Sequence, residues 1–156
     1  MPLLVGRYDN KIDRKGRVSV PKLFRDVLQA ANGGSSGLYA YPSFNDEAIE
    51  VCGEDFMNRV AQGVEEMNLF SEDQDEMASA IFESAHWLQF DPEGRIVLPA
   101  ELIEHAGIDG EAAFVGRGTS IQIWSPEKHT VRRKQKRERI KERKPTLKLG
   151  PAGQEG

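Results

Sequence analysis

Apolar positions in this 156-residue chain fall in short blocks whose spacing switches repeatedly between strand-like and helix-like periods. In Asp13–Pro21, DRKGRVSVP, Val18 and Val20 alternate with polar residues; in Asp91–Pro99, DPEGRIVLP, Ile96, Val97 and Leu98 form a short apolar run. Both blocks suit a buried strand. Each follows a D-x-x-G turn, where Asp hydrogen-bonds the local backbone and Gly supplies positive φ. Each precedes a proline, which opens a helix at little cost. Leu23, Phe24, Val27 and Leu28 then share one helical face, and Leu102, Ile103 and Ala106 share another, with Gly107 as its stop.

The two phrases superpose at an offset of 78, which lays Asp13 on Asp91, Gly16 on Gly94, Arg17 on Arg95 and Pro21 on Pro99. Further on, Leu38–Tyr41 resembles Ala113–Val115 and Ala48–Cys52 resembles Ser120–Trp124, each as a strand. The loop Asn32–Gly37 is longer than its counterpart, so the register drifts. Each half therefore reads as β-turn-β-α-β-β, an α+β class. Between the halves, Phe56, Val60, Val64 and Met67 form one stripe and Met77, Ile81 and Ala85 another, with Ser71 and Gln74 as a capping box. The spacing predicts two helices, roughly 54–69 and 72–86, folded as an antiparallel pair. The expected units are a first repeat (1–53), a helical insert (54–86), a second repeat (87–129) and a basic, exposed, disordered tail (130–156).

Charge alters this picture more than composition does. The net charge is −4, yet the charges are segregated. Residues 1–31 hold seven Lys/Arg and three Asp/Glu; residues 32–127 hold three and nineteen; residues 128–156 hold eleven and three. An acidic body with basic ends can present a positive surface locally. No apolar run approaches a membrane span, and no secretory leader is evident. Cys52, the single cysteine, rules out an intrachain disulfide and suits a reducing cytoplasm.

Catalytic and metal chemistry find little material. His86, His105 and His129 are scattered and match no zinc spacing. No nucleophile elbow, Walker or dinucleotide fingerprint occurs. Gly116–Ser120, GRGTS, does not lead into a helix, and Cys52 reads as a buried strand residue. Neither a metal nor a cofactor is expected.

The paired Asp13/Arg17 and Asp91/Arg95 admit two readings. Asp can cap the turn while Arg folds back on it, or Arg can project toward a phosphate or base edge. The surrounding charge separates the copies. The first adds Arg14 and Lys15, with Arg7, Lys11, Lys22 and Arg25 nearby; the second carries Pro92 and Glu93. A phosphate-facing surface on the first repeat explains that asymmetry. The basic tail could contact nucleic acid nonspecifically, dock on the acidic insert of a neighbouring subunit, or aid solubility. Auxiliary nucleic-acid contact is the favoured reading.

Two D-x-x-G-R-[VI]-x-[VL]-P phrases flanking a helical pair, with the ending Phe114–His129, FVGRGTSIQIWSPEKH, resemble the MraZ family of bacterial transcriptional regulators. That family is related to the AbrB-like swapped-hairpin DNA-binding proteins, and the likeness runs from about Leu4 to His129. The resemblance implies a double-psi β-barrel-like pseudo-dimer made by the two halves of one chain. It implies ring-shaped homo-oligomers, such as an octamer, and no enzymatic activity. It also implies a cytoplasmic, nucleoid-associated protein binding repeated promoter boxes in double-stranded DNA ahead of the cell-division and cell-wall gene cluster. Arg17, Lys15, Arg14, Lys11 and Arg7 are the expected DNA contacts. Asp13, Gly16, Asp91, Gly94 and Arg95 are the expected architectural residues of the turns. The rival readings are a ring-forming adaptor or antitoxin-like module that binds a protein through its acidic insert, and a small barrel enzyme.

Overall fold

The computed structural model describes residues 2–33 and 36–152. Gly34 and Ser35 of the long loop, and residues 153–156 of the expected tail, lie outside the described residues.

Both D-x-x-G phrases close the same turn. The Gly16 N–H donates to the Asp13 carbonyl at 3.0 Å and the Gly94 N–H to the Asp91 carbonyl at 3.0 Å. Each glycine has positive φ, +85° and +80°, a conformation that a Cβ disfavours. The first turn joins strand β1 (Arg7–Lys11) to β2 (Arg17–Ser19), then helix α1 (Lys22–Ala30), β3 (Gly37–Pro42) and β4 (Ile49–Cys52). The insert is α2 (Glu54–Glu65), α3 (Glu72–Ala78) and a π-helical turn, Ser79–Glu83. The second half repeats the order as β5 (His86–Gln89), β6 (Arg95–Val97), α4 (Ala100–Ala106), β7 (Glu111–Gly116) and β8 (Ile121–Trp124). Helix α5 (Pro126–Arg143) ends the regular structure.

The halves interleave. The six-stranded antiparallel sheet runs β1-β7-β8-β4-β3-β5, so β1 pairs with β7 of the other half and β5 with β3. Strands β2 and β6 leave their own hairpins and pair with each other, Val18 opposite Ile96. Beyond that short ribbon, the Leu98 N–H donates to the Gly16 carbonyl at 2.9 Å and the Val20 N–H to the Gly94 carbonyl at 3.1 Å, the same bond made twice. One core serves both halves: Val18, Val20, Phe24, Leu28 and Ile49 mix with Ile96, Leu98, Leu102, Phe114 and Ile123. Burying such side chains supplies most of the folding free energy, roughly 1.5–3 kcal/mol each. The described strands make an open sheet and a ribbon, with no closed barrel among them.

Three local expectations change. Leu23 does not join the buried face of α1 and is 66% exposed. It lies about 100° round the helix from Phe24, outside the stripe set by Phe24 and Leu28. The insert helices are shorter than expected: the first ends at Glu65, and the second, continued by the π turn, ends at Glu83 because His86 is taken up by strand pairing opposite Ala40. Met57 is buried with Ile81, Tyr41 and Cys52, whereas Met77 is exposed. Ser71 caps α3 as expected by accepting from the Gln74 N–H, and the Gln74 side-chain oxygen accepts from the Phe70 N–H.

The largest difference is the tail. Instead of dissolving into disordered chain at residue 130, the backbone stays helical through Arg143. Pro126 starts the helix at its first turn, and tertiary contacts hold it. Asp46 is nearly buried and accepts from Arg132 Nε at 2.8 Å and Lys136 Nζ at 3.0 Å. Lys128 pairs with Glu47, and Lys136 also lies over the Trp124 ring, 5.7 Å from its centre. Burial pushes the Asp46 carboxyl up, but the two cations outweigh it and hold the group below the usual carboxylate range. A carboxylate depressed in this way stabilises the fold above its unfolded pKa, and that stability is lost as pH falls through the folded value. Asp46→Asn should therefore flatten the acid limb of the pH–stability curve below about pH 4. Thermal unfolding followed through the tryptophan near-ultraviolet signal checks this; a limb as steep as the wild type's would count against the docking role.

Candidate nucleic-acid interface

The β2–β6 ribbon has one face in the core and one in solvent. Side chains alternate along a strand, so Val18 and Ile96 point inward while Arg17, Ser19, Arg95 and Val97 share the outer face. The first two are about 1% exposed, whereas Val97 is 54% exposed. Cα pairing sets Arg17 opposite Val97 and Ser19 opposite Arg95. The two arginines therefore occupy diagonal corners of a single surface. The sequence had separated a DNA-facing copy from an architectural one, but the swapped pairing brings both onto one ribbon.

Each arginine is held by its own aspartate in the same way. Asp13 Oδ1 accepts from the N–H groups of Lys15 and Arg17, both at 2.9 Å, and Oδ2 accepts from Arg17 Nε at 2.6 Å. Asp91 repeats this with Glu93, Arg95 and the Arg95 Nε at 2.7 Å. The backbone N–H of Arg17, then its guanidinium and the Lys15 N–H, hold the Asp13 carboxyl below its ordinary range; Arg95 and Glu93 do the same for Asp91. In both copies the arginine Nε bonds the aspartate that shapes the turn. At the outer nitrogens the copies diverge. Arg95 Nη2 also meets Glu93 Oε2 at 3.1 Å. Among the described residues, no hydrogen bond reaches Arg17 Nη1 or Nη2, and no carboxylate besides Asp13 pairs with Arg17.

Arg14 and Lys15 form the exposed corner of the first turn, and Lys11 ends β1 opposite Glu111. Arg7 is placed elsewhere. All five of its N–H donors are used: Nε and Nη2 on Asp9, Nη2 also on the Pro126 carbonyl, and Nη1 on His129 Nδ1 and Thr130 Oγ1. It ties β1 to the start of α5. Burial, with the charges of Arg7 and Arg133, lowers the pKa of His129 and favours the neutral ring that accepts this bond. His86 pairs with Glu101 at the surface.

Arg25, counted among the basic residues near the first turn, has a structural role that the sequence reading did not give it: it donates from Nε to the Val20 carbonyl at 3.0 Å and packs against Gly94. The repeat offset carried a signal, since it sets Arg25 on Ile103, whose side chain approaches Gly16 in the equivalent place. Cys52 is buried, and desolvation pushes its thiol up to about 12, which disfavours a thiolate at neutral pH. Among the described residues no His, Cys, Asp and Glu group could hold a metal ion, and no helix is long and apolar enough to cross a membrane.

Residues 81–147 match the family described as "MraZ protein, putative antitoxin-like". The match runs through α5, so the basic helix is part of the family pattern rather than an extension beyond it. A Pelagibacter ubique protein named "Transcriptional regulator MraZ" is 43% identical over 124 residues, covering 80% of this chain and 79% of that protein. Proteins of the same name from Rickettsia bellii and Rickettsia felis are 43% and 41% identical, over 76% and 81% of this chain and 78% and 84% of theirs. The doubled turn, its interleaved pairing and relatives that align along most of the chain converge: this protein belongs to the MraZ family.

Proposed function

We propose that the chain is a non-enzymatic, sequence-specific DNA-binding transcriptional regulator that grips repeated promoter boxes upstream of the cell-division and cell-wall genes. The observation that carries this reading is the solvent face of the β2–β6 ribbon, with Arg17 held at Nε and open at both outer nitrogens. A two-stranded ribbon fits the major groove of B-DNA, and an arginine fork matches guanine O6 and N7. Arg14, Lys15 and Lys11 supply phosphate contacts at the rim. Arg7 leaves this set and becomes the anchor of α5. The name shared by the relatives supports the regulatory role. The interleaved pairing is in keeping with a double-psi barrel-like pseudo-dimer. A ring of such copies would present several ribbons to successive boxes and gain by effective concentration.

Binding to the DNA upstream of the protein's own gene, measured across salt concentrations, tests the proposal. Affinity should fall steeply with salt, with a log–log slope of about −0.9 for each phosphate engaged. Glu93→Ala should tighten binding, since it removes the carboxylate that competes for Arg95, and the slope should steepen. Unchanged affinity in Glu93→Ala would restrict the interface to the first turn.

A protein-binding module is the second reading. Leu69 and Phe70 project from the acidic insert, and Phe70 is 92% exposed with φ of +63°. A bulky residue in that conformation is a local strain that points to use. Absent or salt-insensitive DNA binding would favour this reading.

A further inference from the structure

Helix α5 turns an unusual face to the sheet. Residues 129, 132, 133, 136, 137 and 140 follow the spacing at which an amphipathic helix places its apolar stripe, yet four of these positions are cationic. They form one wall of a cleft of about 380 Å³, whose other wall includes Val115, Gly116, Arg117 and Trp124. Six cations line it, Arg7, Arg117, Arg132, Arg133, Lys136 and Arg137, and no carboxylate does. Asp9 and Asp46, outside the lining, answer three of them: Arg7, Arg132 and Lys136. Among the described residues no ion pair reaches Arg117, Arg133 or Arg137. Arg117 Nη1 makes only a long contact, 3.4 Å, with Gln122 Oε1.

Like charges four residues apart on a helix destabilise it, and a concave wall containing Trp124 reduces their screening by water. An uncompensated cluster in such a cleft is matched by an anion with several oxygens, because guanidinium forks pair bidentately with phosphate. We propose that this cleft is a binding site for a phosphate-type anion, with Arg117, Arg133 and Arg137 as its ligands and the anchored Arg132 and Lys136 as its wall.

The site is distinct from the ribbon. Arg7 marks the α5 end of β1 and Asp13 the turn end, six residues of extended chain apart, or roughly 20 Å at 3.3 Å per residue. A phosphate in the cleft is therefore not one held by Arg17. It comes either from a soluble polyphosphate or from a more distant stretch of nucleic-acid backbone.

Inorganic pyrophosphate is the first probe, titrated into the intact chain at constant ionic strength and followed by tryptophan fluorescence and thermal midpoint. The variant is Arg133→Gln with Arg137→Gln, two exposed side chains without ion pairs, whose replacement relieves a like-charge pair four residues apart and should not lower the thermal midpoint of the unliganded protein. Saturable binding by the wild type and by Arg17→Ala, weakened at least about tenfold in the double variant, identifies a soluble ligand. If pyrophosphate does not bind, the salt slope for duplex DNA should be shallower by about two in the double variant, which identifies backbone phosphate. Pyrophosphate binding that survives in the double variant, or no change in either measurement, overturns the site. Because Arg17→Ala retains the cleft, failure of the ribbon reading and failure of this one give different results.

Discussion

Arg17→Ala is expected to weaken promoter binding by at least about fivefold per engaged subunit, the lower end of the 1–3 kcal/mol for a good arginine–guanine fork, and by more where several subunits act together. The fold should remain. The Asp13–Arg17 pair is exposed, and such pairs contribute little to stability. Asp13 also keeps its two backbone partners, which are what shape the turn. Arg95→Ala makes the informative contrast. If the ribbon docks as one face, Arg95→Ala also loses affinity, but less, because Glu93 already holds one outer nitrogen of Arg95. Electrophoretic mobility shifts beside thermal midpoints for both variants measure this. A folded Arg17→Ala protein with wild-type affinity would sink the ribbon as the DNA-contacting element.

Gly16→Ala is expected to destabilise the protein far more than Gly94→Ala, although the two glycines hold the same turn at nearly the same φ. Left-handed strain is common to both, about 1–2 kcal/mol for a residue with a Cβ. Their neighbours differ. A Cβ at position 16 would stand 2.6 Å from the Leu98 carbonyl oxygen, and that backbone is tied to Gly16 by the Leu98 N–H bond. At position 94 the Cβ would meet the Arg25 guanidinium, at 2.5 Å, and a long side chain can swing away. Gly16→Ala should therefore cost at least about 3 kcal/mol, a fall of roughly 6–12 °C in thermal midpoint for a chain of this size. Gly94→Ala should cost about half as much. Equal midpoints for the two variants would show that the Leu98 segment yields as easily as an arginine side chain.

Much of this was legible along the chain. The D-x-x-G turns, the strands after them, the proline-opened helices and the stop at Gly107, whose φ is +63°, follow from backbone chemistry that acts within a few residues. The Ser71 cap is equally local. Boundaries failed where tertiary contacts compete, as at His86, which sheet pairing takes from the helical segment before it. The tail failed for a related reason. Charge repulsion along Val131–Lys144 argues against a helix considered alone, whereas Asp46, a residue 86 positions before Arg132, supplies the counter-charge.

The site divides in the same way. That Asp13 and Asp91 would each seat an arginine, and that the first turn would be the more basic, was decided by residues next to one another. The sequence by itself determined a duplicated unit, its turn chemistry and the uneven charge of its two copies. Only the tertiary structure decided that β2 would abandon β1 for β6, that Arg17 and Arg95 would stand on one exposed face, and that Arg7 would serve α5 instead. The physical reason is that turns and caps are governed by short-range sterics and hydrogen bonds. Partner choice between strands depends instead on which apolar faces can be buried together, and here one shared core forces the halves to exchange strands.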